Sequence, residues 1–237
     1  MQVTTPLYNP SSFFSFSQHK QKVTKMAHFV LRLLLISVAI FGFSTIVESR
    51  SRARMYLELQ CRSALYPDLC VKTLLPYVRK IGLPISPQLL TQVSLASCLS
   101  KARFTKIYLN MVARKLNETT NNENNQAVQE CLQQINDGVN QITQSFKELQ
   151  QIGKDGDENF MWHVSNVQTW VSAALTDATT CIDGMLGGGM GRREQAMIKA
   201  RFLNVKQLAS NSLAMFSRFT TRYRASRGIK NPRSVVM

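Results

Sequence analysis

Four stretches of this chain repeat apolar or small residues in steps of three and four, and none alternates polar and apolar residues as a strand does. The first runs through Val93, Ala96, Ser100, Phe104, Ile107 and Met111. The second runs through Val128, Cys131, Ile135, Val139, Ile142, Phe146 and Leu149. The third takes in Phe160, Val164, Val167, Val171, Ala174, Ala178, Cys181 and Met185. The fourth takes in Ile198, Phe202, Val205, Ala209, Ser212, Phe216, Phe219 and Tyr223. Such spacing puts one apolar stripe on each helix, and four stripes can close on one another in an antiparallel bundle. The connections Asn117–Asn125, Gly153–Glu158 and Gly187–Arg193 read as turns, short enough to make neighbours antiparallel. The predicted fold is all-α: a four-helix bundle over 86–225, followed by a basic tail at 226–237.

The start of the chain reads differently. Residues 29–47 are apolar or neutral apart from Arg32, and Lys20, Lys22 and Lys25 precede them. A basic segment before an apolar run of this length is the pattern of a secretory leader. The uncharged run from Leu33 to Val47 is shorter than a membrane span of ~20 residues, which favours cleavage over anchoring. Val47 and Ser49 suit the −3 and −1 places, so residues 1–49 are read as a signal peptide cut after Ser49. Met26 would begin a leader of ordinary length. The expectation is a secreted protein with no membrane partner once the leader is gone.

All five cysteines follow that site: Cys61, Cys70, Cys98, Cys131 and Cys181. Export places them where disulfides persist, and the odd number leaves at least one thiol over. Bundle geometry narrows the pairing. With the turn between the second and third helices centred at residue 156, Cys131 and Cys181 lie 25 positions to either side, at the same height on two antiparallel helices. They make a sensible clamp. Within 50–85, helical stretches at 55–65 and 68–78 flank Tyr66-Pro67, which breaks a helix. Cys61 and Cys70 stand on the two sides of that break and can staple a helical hairpin too small to hold alone. Cys98 is left as a free thiol, either a small buried residue or an intermolecular link.

Catalytic chemistry is hard to assemble from these residues. Beyond the leader His163 is the only histidine, on a largely apolar helix, where it reads as a surface or capping group. There is no nucleophile elbow, zinc motif or phosphate loop. No catalytic residue, metal or cofactor is expected, and the chain does not read as an enzyme. Asn117-Glu118-Thr119 is a glycosylation sequon.

The residues reached by these steps resemble the plant invertase/pectin methylesterase inhibitor family. The likeness is carried by Cys61-Arg-Ser-Ala-Leu-Tyr-Pro-Asp-Leu-Cys70, by Gln129-Glu130-Cys131-Leu132, and above all by Val167-Gln-Thr-Trp-Val-Ser-Ala-Ala-Leu-Thr-Asp177 running into Thr180-Cys181. It spans about residues 50–225. The resemblance implies disulfides joining Cys61 to Cys70 and Cys131 to Cys181, with Cys98 as a departure from the four-cysteine pattern. It implies an inhibitor that occludes the cleft of a pectin methylesterase in a one-to-one complex in the apoplast, the extracellular cell wall. Contact would run chiefly through the middle bundle helices, which makes Thr176, Asp177, Gln168, Glu130 and Asp137 contact candidates. The alternatives are an inhibitor of cell-wall or vacuolar invertase, and a basic wall protein that binds pectin without an enzyme target. The Pro-Lys-Phe triplet of some invertase inhibitors is absent.

Charge separates along the chain. The formal net charge is +15. Residues 50–115 hold 12 Lys+Arg and 2 Asp+Glu, residues 116–191 hold 2 and 10, and residues 192–237 hold 11 and 1. An acidic centre suits a basic enzyme surface, and the basic outer helices suit anionic pectin. Export disfavours nucleic acid as the polyanion.

Overall fold

The computed structural model describes residues 28–37, 52–119, 122–154, 158–185 and 191–229. The chain divides into two units, Met1–Ser51 and Arg52–Met237. In the first, residues 28–37 are helical and expose Phe29, Leu33 and Leu34. Met26, the cleavage position after Ser49 and residues 230–237 of the basic tail lie outside the described residues. No described helix is long and apolar enough to cross a membrane.

The regular structure described in the second unit is all helical. Helix α1 covers 52–61, followed by α2 (Pro67–Ile81), α3 (Pro87–Thr119), α4 (Asn122–Leu149), α5 (Phe160–Gly184) and α6 (Arg192–Arg227). Helices α3 to α6 form the bundle: each packs on two others, in the ring α3–α4–α5–α6 and back to α3. The core takes its largest side chains from Leu109, Ile135, Ile142, Phe160, Phe202 and Phe216.

Helices α1 and α2 form the hairpin. Tyr66 ends the turn and Pro67 opens α2, where a missing N–H costs nothing and the fixed φ suits the first helical turn. Cys61 and Cys70 are joined, with Cα atoms 5.8 Å apart. A small second core of Leu57, Val71, Leu74 and Val78 seats the hairpin on Leu90 of α3 and Met215 of α6. Asn211, buried on α6, clamps the break between α1 and α2. Its Oδ1 accepts the Tyr66 N–H at 3.2 Å and its Nδ2 donates to the Tyr66 carbonyl at 2.9 Å.

Two expectations need correction. Beyond Val93, which is partly buried against the smaller core, the stripe Val93, Ala96, Ser100, Phe104, Ile107 and Met111 does not face the core: Ala96 and Ser100 are exposed, and Phe104, Ile107 and Met111 are 61%, 56% and 57% exposed. The inward face of α3 is instead Thr91, Ser94, Leu95, Cys98, Ala102, Thr105, Leu109 and Ala113. Its hydroxyls are satisfied without water. Thr91 and Thr105 donate to the carbonyls four residues back, and Ser94 bonds Ser212 of α6 at 2.9 Å. Small and hydroxyl residues let the α3 backbone come close to its neighbours while looking polar in the sequence.

The segment 117–125 is also not one long turn, because α3 continues to Thr119 and α4 starts at Asn122. It contains neither Gly nor Pro. Asn and Thr lower helix propensity by at most ~0.7 kcal/mol each, too little to stop helices held by packing further along. The α4–α5 connection does break. Gly153 takes φ +86, and a Cβ there would meet the Tyr223 hydroxyl at 3.0 Å. The Tyr223 ring also stacks on Phe160 at 4.8 Å, tying the turn to α6.

Candidate functional site

The α4–α5 hairpin carries the candidate contact residues, and its register fixes where they stand. Cys131 and Cys181 are joined with Cα atoms 4.9 Å apart. About two turns on, a Cβ added at Gly138 would touch Ala174 Cβ at 3.8 Å. Near the turn, Glu148 meets His163 at 2.6 Å. Each pair is centred within one residue of position 156, so the two helices stay level from the disulfide to the turn. Gly138 against Ala174 permits the close approach that a disulfide of this span needs.

Helix α5 divides cleanly into two faces. Val164, Val167, Val171, Ala174, Ala178 and Cys181 are buried, as their spacing predicts. The opposite face presents Ser165, Gln168, Thr169, Ser172, Thr176 and Thr180, all exposed. Apart from Gln168 it is made of short side chains. The Thr176 hydroxyl donates to the Ser172 carbonyl at 3.1 Å, and Thr180 to the Thr176 carbonyl at 3.1 Å. Those bonds tie the hydroxyls to the backbone of their own helix. Trp170 is half-buried.

The acidic candidates lie along the α4 side of this face. Glu130 is exposed and accepts a hydrogen bond from Gln126 at 3.1 Å. Asp137 is exposed, and Asp177 of α5 is half-buried beside it. Burial pushes the Asp177 carboxyl above its ordinary value; the Asp137 charge adds to this, and a hydrogen bond from Gln141 works against it. Register therefore brings Asp137, Thr176 and Asp177 together. Glu130 stands at the disulfide end, and Gln168 lies on the same outward face nearer the turn.

Glu148 is not a surface acid. Its Oε1 bonds His163 Nδ1 and also accepts from Asn166 Nδ2 at 3.0 Å. His163 is buried rather than a surface or capping group, and Trp162 packs edge-on to its ring at 5.2 Å. The Glu148–His163 pair fastens the turn end of the hairpin as the disulfide fastens the other end. The signal was present in the sequence, since reflection about residue 156 takes position 163 to within one residue of Glu148.

Cys98 is a free thiol with no exposure, facing the Val205 carbonyl at 3.8 Å. Burial pushes its pKa up to about 12, so it is a neutral, shielded core residue. A bridge to another chain would require opening the bundle. Asn117 sits exposed in the last turns of α3. Among the described residues, no three His, Cys, Asp or Glu side chains gather as a metal site.

Comparison with known proteins matches this arrangement. The family described as plant invertase/pectin methylesterase inhibitor covers residues 56–215, from the stapled hairpin to the hairpin's anchor on α6. Pectinesterase inhibitor 9 of Arabidopsis thaliana is 35% identical over 206 residues, covering 86% of this chain and 97% of the relative. Pectinesterase inhibitor 11 of the same plant is 33% identical, covering 85% and 100%. A crystal structure of a mutant pectin methylesterase inhibitor from Arabidopsis superposes with a TM-score of 0.51 at 18% identity, covering 66% of this chain and 92% of that one; this is a likeness of fold. With a stapled hairpin, a clamped four-helix bundle and a matching family model over most of the chain, this protein belongs to the plant invertase/pectin methylesterase inhibitor family.

Proposed function

We propose that the protein is a secreted inhibitor of a pectin methylesterase, an enzyme inhibitor rather than an enzyme, acting in the extracellular cell wall. The names of its relatives support the target, and the basic leader with its apolar run supports export. The contact is the outer face of α4 and α5. Thr176 and Gln168 provide the flat surface, while Glu130, Asp137 and Asp177 provide negative charge along one side. The complex is one-to-one, and the inhibitor fills the cleft so that the polymer cannot enter.

One observation carries this reading. The outer face of α5 carries a row of short hydroxyl side chains, Ser165, Thr169, Ser172, Thr176 and Thr180, with Gln168 beside it, on a helix fixed at both ends by Cys131–Cys181 and by Glu148–His163. A rigid flat face loses little entropy on docking, which is how a surface of small side chains can bind tightly. The acids beside it would steer association with a basic enzyme surface, an effect that weakens as salt rises.

The test is a titration of purified pectin methylesterase against the secreted chain, with complex size measured in parallel. The expected result is loss of activity with an endpoint at one inhibitor per enzyme, and a complex of that composition. Full activity in excess inhibitor at mildly acidic pH rules the reading out, and inhibition of an invertase under those conditions moves the target to the alternative enzyme.

A further inference from the structure

Two clefts on the other side of the bundle join into one. The first, about 440 Å³, lies between α3 and α6 beside Phe104, Tyr108 and Arg201. The second, about 410 Å³, lies where α2 meets the same two helices, beside Lys72 and Tyr77. Lys101 and Asn204 line both, so the clefts are continuous. Along α3 the groove runs from Ser97 to Met111, ~21 Å at 1.5 Å per residue, and is open to solvent along its length.

The lining has a definite chemistry. Lys72, Lys101 and Arg201 supply three cations, and no Asp or Glu contributes. Arg201 lies over the Tyr108 ring at 4.0 Å, and its Nε is buried with no hydrogen-bond partner. Tyr77 and Phe104 are 42% and 61% exposed and offer ring faces at the groove edges. Hydroxyls and an amide, such as Ser100 and Asn204, stand between them. Cations, ring faces and hydroxyls along an open track suit a long ligand with carboxylates, flat sugar faces and many hydroxyls.

We propose that this groove binds a stretch of acidic polysaccharide, a polygalacturonate chain, independently of the α5 face. Lys72, Lys101 and Arg201 pair with its carboxylates, and Tyr77, Phe104 and Tyr108 pack against sugar rings. The inhibitor would then be held on the polymer while α4 and α5 stay free for the enzyme. A second copy of this chain meeting it through the same groove is a poor occupant. Its own α3 carries Lys101, Arg103, Lys106, Arg114 and Lys115 without an acid between Pro87 and Asn117, and like charge would meet like.

The experiment measures affinity for polygalacturonate and, separately, for polyglutamate, a polyanion without sugar rings. Lys101→Glu with Arg201→Glu is expected to weaken polygalacturonate binding about tenfold. Arg62→Glu with Arg222→Glu makes the same change in charge on exposed residues outside the groove and is expected to cost no more than about twofold. Tyr77→Ala with Phe104→Ala, which alters no charge, is expected to weaken polygalacturonate binding about threefold and leave polyglutamate binding unchanged. Lys101→Ala with Arg201→Gln repeats the first test should the charge reversal unfold the chain. The proposal is overturned by absence of polygalacturonate binding at low salt, by equal losses from the two charge reversals, or by an inert aromatic pair. It is also overturned if the groove variants lose methylesterase inhibition while keeping polymer binding, since the groove would then hold protein. Because the binding assay contains no enzyme, its failure leaves the inhibitor reading standing.

Discussion

Helices α3 and α5 belong to one bundle and divide their residues in opposite ways. In α5 the bulky apolar residues point inward and the outer face is Ser and Thr with Gln168. In α3 the outer face carries Phe104, Ile107 and Met111, while Thr91, Ser94, Cys98, Ala102 and Thr105 point inward. Both are stable helices, because inward hydroxyls cost little once they bond a carbonyl of their own helix. What differs is what remains outside. The α5 arrangement leaves a smooth polar face; the α3 arrangement leaves an apolar, cation-flanked groove. Apolar residues left on a surface in a contiguous patch mark an interaction more often than a folding need.

Breaking the clamp beneath the α5 face should have the largest effect. Cys131→Ser with Cys181→Ser removes a cross-link of sequence separation 50 and is expected to lower unfolding free energy by about 4 kcal/mol. The same change at Cys61 and Cys70, separation 9, is expected to cost about 2.5 kcal/mol. Denaturant unfolding of both variants measures the ordering, and equal losses would mean that the hairpin and the bundle do not differ as their loop lengths require.

The two faces of α3 can be compared within one helix. Leu109→Ala, at a site with no exposure, is expected to cost about 2–5 kcal/mol. Phe104→Ser, on the opposite face, is expected to stay within about 0.5 kcal/mol. Comparable losses at both positions would put Phe104 back into the core and undo the reversed reading of α3.

A finer test concerns the acids beside α5. The Asp177 carboxyl is raised above its ordinary value of 3.8, so the folded state holds its proton more tightly than the unfolded state does. Wild-type stability from this group is therefore greatest below that value and falls as pH rises through the raised one. Asp177→Asn removes the penalty and is expected to be slightly more stable than wild type at neutral pH, with the gap closing as the medium is acidified. Thermal melts across pH 3–7 would show it; a constant gap would mean that Asp177 titrates as an ordinary surface acid.

How much of this was legible beforehand follows from the same contrast. Periodicity located the core of α4, α5 and α6 because Ile135, Ile142, Val167, Val171, Phe202 and Phe216 are large, apolar and inward. It failed on α3 because the weight of Phe104, Ile107 and Met111 outvoted inward residues whose polarity is cancelled only in three dimensions. The reflection that places Cys131 level with Cys181 used chain spacing alone, and applied to His163 it leads to within one residue of Glu148. The segment 117–125 looked like a turn by composition, yet only Gly and Pro break a helix strongly, and it has neither. The contact candidates came from resemblance. What the spacing could not supply is that burial between the two helices, with the Asp137 charge beside it, raises the Asp177 carboxyl.

The central claim is that the enzyme meets α5 and not α3. Methylesterase titrated with wild type, Thr176→Trp and Phe104→Ser tests it directly. A bulky ring in the middle of the flat row should weaken inhibition by roughly 30-fold or more, the factor that a 2 kcal/mol hot spot carries. Phe104→Ser should inhibit as wild type does. Inhibition that survives Thr176→Trp and disappears with Phe104→Ser would contradict the account and place the enzyme on the other side of the bundle.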